Sequence, residues 1–500
     1  MILKSLVLCS VILIIGIEAL STEDSPTYIA GAVEYEKIRY VTQPRREADE
    51  NLNEYTKIIL APETKDVDIL VFPESSLNNI QTAAYVPDPK NAVIPCDLKG
   101  KEDIYDVMLK NVSCAAQKTK KYVLINLTEK SDCIESSETS NCPEDKIKRY
   151  NTNVVFDRNG AVISTYRKVN LFGEAGISRP DKPESIPFKT DFGVTFGQFI
   201  CFDLMFEKPA VELARSGITD FLFSTMWFSE LPFLSAVQAQ LGWAYKHGVN
   251  FIGSGASFPL IGSTGTGIYH GKFGALDAVM NYISSTKVYI AEVPKIGPNS
   301  PAPSPSSKIQ RYDPVDMLKL KLKRDQLDVY NTTLINFSAS KQTHEICHDG
   351  FCCNFNLNID VLPDKANQDS PFYLYRMAAY NGLRTFDGFA DGAVKVCAIF
   401  ACTDDTLASC GKRHTMPVHD KVQFNSIELK TVYDKMDNTL FMPNTLDASI
   451  MPFESTEYEY EERAREDGKI EIYMKLLESK TDLLTFAIYS RNFDRDPVKK

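Results

Sequence analysis

From Tyr28 to about Pro294 the chain alternates short apolar runs with amphipathic ones, and this alternation constrains the fold more than any other feature. YIAGAVEY, from Tyr28, reads as a strand. Residues 46–61 carry Leu52, Tyr55, Ile58 and Ile59 at helical spacing. VDILVFPE (67–74) and YVLINL (122–127) read as further strands, and residues 150–157 and 161–166 flank Asn159-Gly160, a hairpin signal. FGVTFGQFICFDLMF (192–206) reads as a buried strand ending at Cys201, followed by Pro209 and the helical pattern AVELARSG. ITDFLFS, a helix over 232–247, NFIGSG and TKVYIAEV complete the series. Strands alternating with helices predict a layered α/β domain, and the hairpin predicts a sheet that is not purely parallel.

The pattern stops at PNSPAPSPSS (298–307), a proline- and serine-rich break. Beyond it, residues 327–489 hold six cysteines, short alternating strands and few helical runs. The expected division is 1–21 leader, 22–297 α/β domain, 298–325 linker, and 326–500 a smaller β-rich, disulfide-stapled domain.

Lys4, the apolar run 6–17 and Ala19-Leu20-Ser21 read as a secretory signal peptide, the run being short for a membrane span. The chain ends in SRNFDRDPVKK with no apolar tail, so a lipid-anchor signal is not expected and a secreted, extracellular protein without a membrane anchor is. The net charge of −11 argues against a nucleic-acid surface. Removing Cys9 with the leader leaves eleven cysteines, an odd number, so an oxidising compartment leaves at least one thiol unpaired. Cys133 with Cys142 is the easiest local pairing, and the remaining connectivity is open. Asn111, Asn126, Asn331 and Asn336 stand in glycosylation sequons, although Asn126 closes an apolar strand.

Three polar residues end or follow buried strands: Glu74, Lys168 and Cys201. A glutamate placed directly after an apolar strand is costly unless something uses it. Singly, Glu74 could cap a helix, Lys168 be a solvated charge and Cys201 be core; together, delivered from different strand ends, they compose a thiol nucleophile, a candidate base and a cation. A helix N-terminus following Cys201 would favour the thiolate.

The order of Glu74, then YRKVNLF, then CFD resembles the carbon–nitrogen hydrolase (nitrilase) superfamily. YNTNVVFDRNG, LFGE, FDLMFEKPAVEL, Trp227 after a strand, and GWAYKHGVN narrow the resemblance to its vanin/biotinidase branch. Cys347 and the Cys352-Cys353 pair extend it more thinly into the second domain. The resemblance implies a nitrilase-type α-β-β-α sandwich, with Glu74 as general base, Lys168 as oxyanion stabiliser, Cys201 as nucleophile, and Glu174 and Trp227 orienting the substrate. It implies hydrolysis of a linear amide in a small molecule, pantetheine first and biocytin as the near alternative, with no cofactor. The run FSTMWFSEL departs from the proline- and alanine-containing segment usual before the tryptophan in vanins, so the pocket is expected to differ.

Two other readings compete. His344-Glu345-Ile346-Cys347-His348 matches the HExxH spacing of zinc peptidases, which requires a helix. The surrounding cysteines and Asp349-Gly350 argue against one, so no metal is expected. The other is a catalytically silent secreted binding protein on the same fold, which retention of all three reactive residue types disfavours.

Overall fold

The computed structural model describes residues 20–100, 104–133, 142–182, 184–297, 308–363, 370–434 and 438–497. Nearly all of the segment expected to be a leader, and the break at 298–307, lie outside them. The strands of the first part are β1 (Thr27–Glu34), β2 (Ile69–Val71), β3 (Tyr122–Asp132), β4 (Ile147–Phe156), β5 (Val162–Arg167), β6 (Phe188–Lys189) and β7 (Thr195–Ile200). They continue as β8 (Asp220–Thr225), β9 (Glu230–Leu231), β10 (Asn250–Gly255), β11 (Thr266–His270), β12 (Ala275–Val279), β13 (Lys287–Pro294) and β14 (Ile309–Gln310). The helices are α1 (Pro44–Leu60), α2 (Val107–Thr119), the single turn α3 (Glu212–Arg215) and α4 (Ala236–His247).

Two sheets stack face to face, one ordered β13-β1-β2-β3-β4-β5 and the other β14-β12-β11-β10-β8-β7-β6. Strand periodicity sends successive side chains to opposite faces. Tyr28, Ala30 and Ala32 of β1 therefore meet Phe192, Phe196, Leu222 and Ile252 between the sheets. Val33 and Leu70 instead meet Leu52, Tyr55 and Ile59 of α1 and Leu109 and Val112 of α2 outside. On the other flank, Trp243 of α4 packs against Phe199, Phe221 and Phe251. The layers are thus α-β-β-α, as expected. Both sheets are mixed: β1-β2-β3 and β7-β8-β10 run parallel, whereas β3-β4-β5 is antiparallel. The β4–β5 turn has the predicted chemistry, with Asp157 Oδ1 accepting the N–H groups of Asn159 and Ala161 and Gly160 at φ 80°.

The C-terminal strands are β15 (Lys323–Arg324), β16 (Asn331–Leu334), β17 (Lys341–His348), β18 (Phe351–Val361), β19 (Leu374–Phe386) and β20 (Ala390–Cys402). They end with β21 (Val422–Tyr433), β22 (Thr439–Asp447), β23 (Tyr458–Ala464), β24 (Ile470–Leu476) and β25 (Leu483–Asn492). Two five-stranded antiparallel sheets result, β16-β19-β20-β25-β22 and β17-β18-β21-β24-β23, bridged by Cys353–Cys397. The other disulfides are Cys96–Cys114, Cys133–Cys142, Cys347–Cys352 and Cys402–Cys410, leaving Cys201 as the free cysteine among the described residues. The HExxH segment is strand β17, where His344 and His348 stand about 13 Å apart along the chain, too far for one ion, with Cys347 consumed in a disulfide.

The two parts share one apolar core, because β22 lies directly on α4. Gly242 permits the approach: a Cβ there would stand 2.8 Å from the Pro443 carbonyl oxygen. Gln238 and Asn444 seal the contact, the Gln238 amide donating to Asn444 Oδ1 at 2.8 Å and Asn444 Nδ2 to the Phe233 carbonyl at 2.8 Å.

Candidate active site

Glu74 lies just beyond β2, Lys168 follows β5, Cys201 follows β7 and Thr225 ends β8. Stacking the two sheets brings these strand ends to one cleft. Lys168 is the hub. Its Nζ donates to Glu74 Oε1 at 2.7 Å and to Glu174 Oε1 at 2.6 Å, with only 2% of the residue exposed. Burial works against the ammonium, but the carboxylates of Glu74 and Glu174 outweigh it and hold the Lys168 pKa well above its ordinary value. Burial likewise opposes the Glu174 carboxylate, and Lys168 outweighs it, so that pKa is lowered.

The Glu74 carboxylate accepts two more bonds, from Asn151 Nδ2 at 2.8 Å and from the Met226 N–H at 2.8 Å. Asn151 is itself held by Asn126, whose Nδ2 donates to Asn151 Oδ1 at 2.7 Å and whose Oδ1 accepts the Ser75 N–H at 2.9 Å. Asn126 is buried and both ends of its amide are engaged, so in the folded protein it is closed to a glycan. Asn331 and Asn336 are exposed and Asn111 is half-buried on α2.

Cys201 adopts φ 46°, a left-handed conformation uncommon for a residue with a Cβ. Asp203 holds that turn: its Oδ2 accepts the Ile200 N–H and the Tyr166 hydroxyl, and its Oδ1 accepts the Asn170 N–H and Nδ2. One carboxylate thus ties the Lys168 loop to the Cys201 turn. Burial lifts the Asp203 pKa to about 6, with Lys168 pulling the other way. The expectation of a thiolate favoured by a helix N-terminus is overturned. Residues Cys201–Met205 form a single 3₁₀ turn, and the α-helical segment starts only at Glu212. Burial pushes the Cys201 thiol pKa up, the Glu74 charge adds to this, and Lys168 only partly offsets it. These effects favour the protonated thiol at rest.

Beside Cys201 opens a narrow cleft walled by Phe172, Phe202, Met205, Trp227, Phe228 and Phe386. Trp227 is fixed by its Nε1–H, which donates to the Leu234 carbonyl at 2.8 Å. Glu230 and Asp387 also line the cleft. Their cations stand behind them: Arg384 bonds Glu230 at 2.5 Å and Asp325 at 3.1 Å, and Lys323 pairs with Asp387. Burial raises the Glu230 pKa, Arg384 offsetting only part of the rise.

The structure brings Glu74, Lys168, Glu174, Cys201 and Trp227 together. Sequence reasoning missed Asn151, Thr225, and the Phe386 and Asp387 contribution from the β19–β20 turn. Asn151 lies inside the quoted YNTNVVFDRNG run, where three polar residues interrupt a strand, a signal that was present. The β19–β20 turn carries no comparable mark.

Residues 37–244 match the carbon–nitrogen hydrolase family and residues 320–496 match the vanin C-terminal domain. The chain is 37% identical to Vanin-like protein 1 of Drosophila melanogaster, over 97% of this chain and 90% of that protein. It is 30% identical to pantetheinase of Mus musculus, over 73% and 70% of the two chains. It is 26% identical to biotinidase of Homo sapiens, over 90% and 84%. The chain belongs to the carbon–nitrogen hydrolase family, in the branch that holds the vanin-like proteins, pantetheinase and biotinidase.

Proposed function

We propose that the protein is a secreted amidohydrolase that cleaves pantetheine to pantothenate and cysteamine through a thioester on Cys201. The observation that carries this reading is the buried Lys168 ammonium, 2.7 Å from Glu74, on a loop that Asp203 ties to the Cys201 turn. An ionised carboxylate offers about four acceptor sites. Three donors hold Glu74, so one site is left for the thiol proton.

Because the resting thiol is protonated, attack is coupled to proton transfer. Glu74 takes the proton, and the Cys201 electron pair forms a bond to the amide carbon. The carbonyl electrons move to oxygen, where the Lys168 ammonium offsets the new charge. Collapse breaks the C–N bond, and the amine leaves with the proton from Glu74. Water then attacks the thioester, giving its proton to Glu74; the C–S bond breaks, the acid leaves, and Glu74 returns the proton to the sulfur. Glu174 keeps Lys168 aimed, and Trp227 walls the cleft.

The mostly apolar walls of the cleft support pantetheine, which is uncharged along its length, over biocytin, whose lysyl end carries both an α-carboxylate and an α-ammonium to be taken out of water. Five disulfides suit an oxidising compartment, and among the described residues no helix is long and apolar enough to cross a membrane. Glycans at the exposed Asn331 and Asn336 fit the same route. Turnover of pantetheine and biocytin should be measured side by side, with the Cys201→Ala protein as control. Pantetheine cleavage that disappears in the variant is expected. Preferential biocytin cleavage would overturn the substrate assignment, and no turnover of either would overturn the pantetheinase reading.

A further inference from the structure

Thr225 is the last residue of β8, and β8 runs parallel to β7 with Ser224 opposite Ile200. That register sets Thr225 beside Cys201. Its residue is 1% exposed, and its Oγ1 is sealed from solvent with no hydrogen-bond partner in the protein. Leaving a buried hydroxyl unpaired costs about 1–3 kcal/mol, so such a group calls for a reason. The next residue, Met226, gives its N–H to Glu74, so this short segment touches both the base and the nucleophile.

We propose that the Thr225 hydroxyl is the donor that receives the Cys201 sulfur as it loses its proton, making Thr225 a fourth functional member of the site. A thiol is a weak acceptor and a thiolate a strong one. When the S–H proton passes to Glu74, the electron pair stays on sulfur and Thr225 Oγ1–H gains the partner it lacks at rest. The unpaired hydroxyl therefore destabilises the protonated thiol relative to the ionised one.

This inference rests on Cys201 as nucleophile but not on the identity of the amide, so its test avoids substrate. The rate of Cys201 alkylation by iodoacetamide is measured against pH for the wild type, Thr225→Val, Thr225→Ser and Thr225→Ala, with Cys201→Ala as the blank. Valine keeps the shape and removes the donor. The profile of Thr225→Val is expected to move up by about one pH unit, a rate loss of about tenfold at fixed pH below the midpoint. Thr225→Ser is expected to restore the wild-type profile, with thermal stability little changed in both. If valine does not fold, alanine supplies the same comparison. An unshifted profile in the folded variant lacking the hydroxyl, or a serine variant that behaves like valine, would overturn the proposal. Failure to cleave pantetheine with these shifts intact would count against the substrate assignment instead.

Discussion

Lys168 carries two carboxylates in a space that excludes water, and removing one partner of such a pair leaves an uncompensated charge. Lys168→Met should therefore destabilise the protein by about 3–5 kcal/mol in denaturant titration, besides abolishing turnover. Glu74→Gln keeps the volume and removes the proton acceptor, and should lower kcat by about 10²–10⁴. Cys201 supplies a pH prediction. Its folded pKa lies above the unfolded value of about 8.5, so above that pH the native state holds more protons than the unfolded state and stability falls as pH rises. Cys201→Ala lacks this contribution, and its stability relative to wild type should improve between pH 8 and pH 10. A constant difference across that range would contradict the buried, protonated thiol. Glu74, Lys168 and Cys201 were legible in the sequence because each ends or follows a buried strand and their order, with the residues around them, resembles the carbon–nitrogen hydrolase pattern. Thr225 was not, since a threonine at a strand end is unremarkable until its hydroxyl is found unpaired.

The loop Phe172-Gly173-Glu174 joins the site to the C-terminal strands. Gly173 has φ 75°, and a Cβ there would lie 2.2 Å from the Phe389 ring, the tip of the β19–β20 turn. Phe172 packs edge-on against both Phe202 and Phe389, at 4.9 Å in each case. Gly173→Ala must displace this loop and with it Glu174, the aiming partner of Lys168. Misplacement on the order of 1 Å costs about 10²-fold in rate, so kcat/KM should fall by about that factor while the protein still folds. Retained activity would show that the loop tolerates the shift. At this scale the α/β alternation was read correctly for most strands, but α2, β11 and β12 were not found. The signal for α2 was there. Asp106 caps it by accepting the Met108 N–H, and Met108, Leu109, Val112, Ala115 and Ala116 bury one face. The β11 and β12 strands are short and glycine-flanked, and little in their local pattern separates them from loop.

Across the whole molecule, the C-terminal sheets complete the first sandwich instead of hanging from it. Arg384 on β19 holds Glu230 in the cleft, Phe386 walls it, and β22 covers α4. The sequence announced a disulfide-stapled β-rich region but not this contact, because the face of α4 that meets β22 reads like any core helix face. Cys353–Cys397 links the two C-terminal sheets and closes a separation of 44 residues. Replacing both cysteines with alanine should cost roughly 2–5 kcal/mol in denaturant titration. Pantetheine turnover below the unfolding transition should be retained, since neither residue faces the cleft.

The central claim is that Cys201 attacks the amide and holds the acyl group while Glu74 and Lys168 manage proton and charge. The most direct test is to mix enzyme with pantetheine, quench with acid during turnover, and weigh the peptide that carries Cys201. The account predicts a gain equal to a pantothenoyl group, absent from Cys201→Ala and lost on treatment with hydroxylamine. Turnover with no adduct on Cys201, or an adduct on another residue, would contradict it.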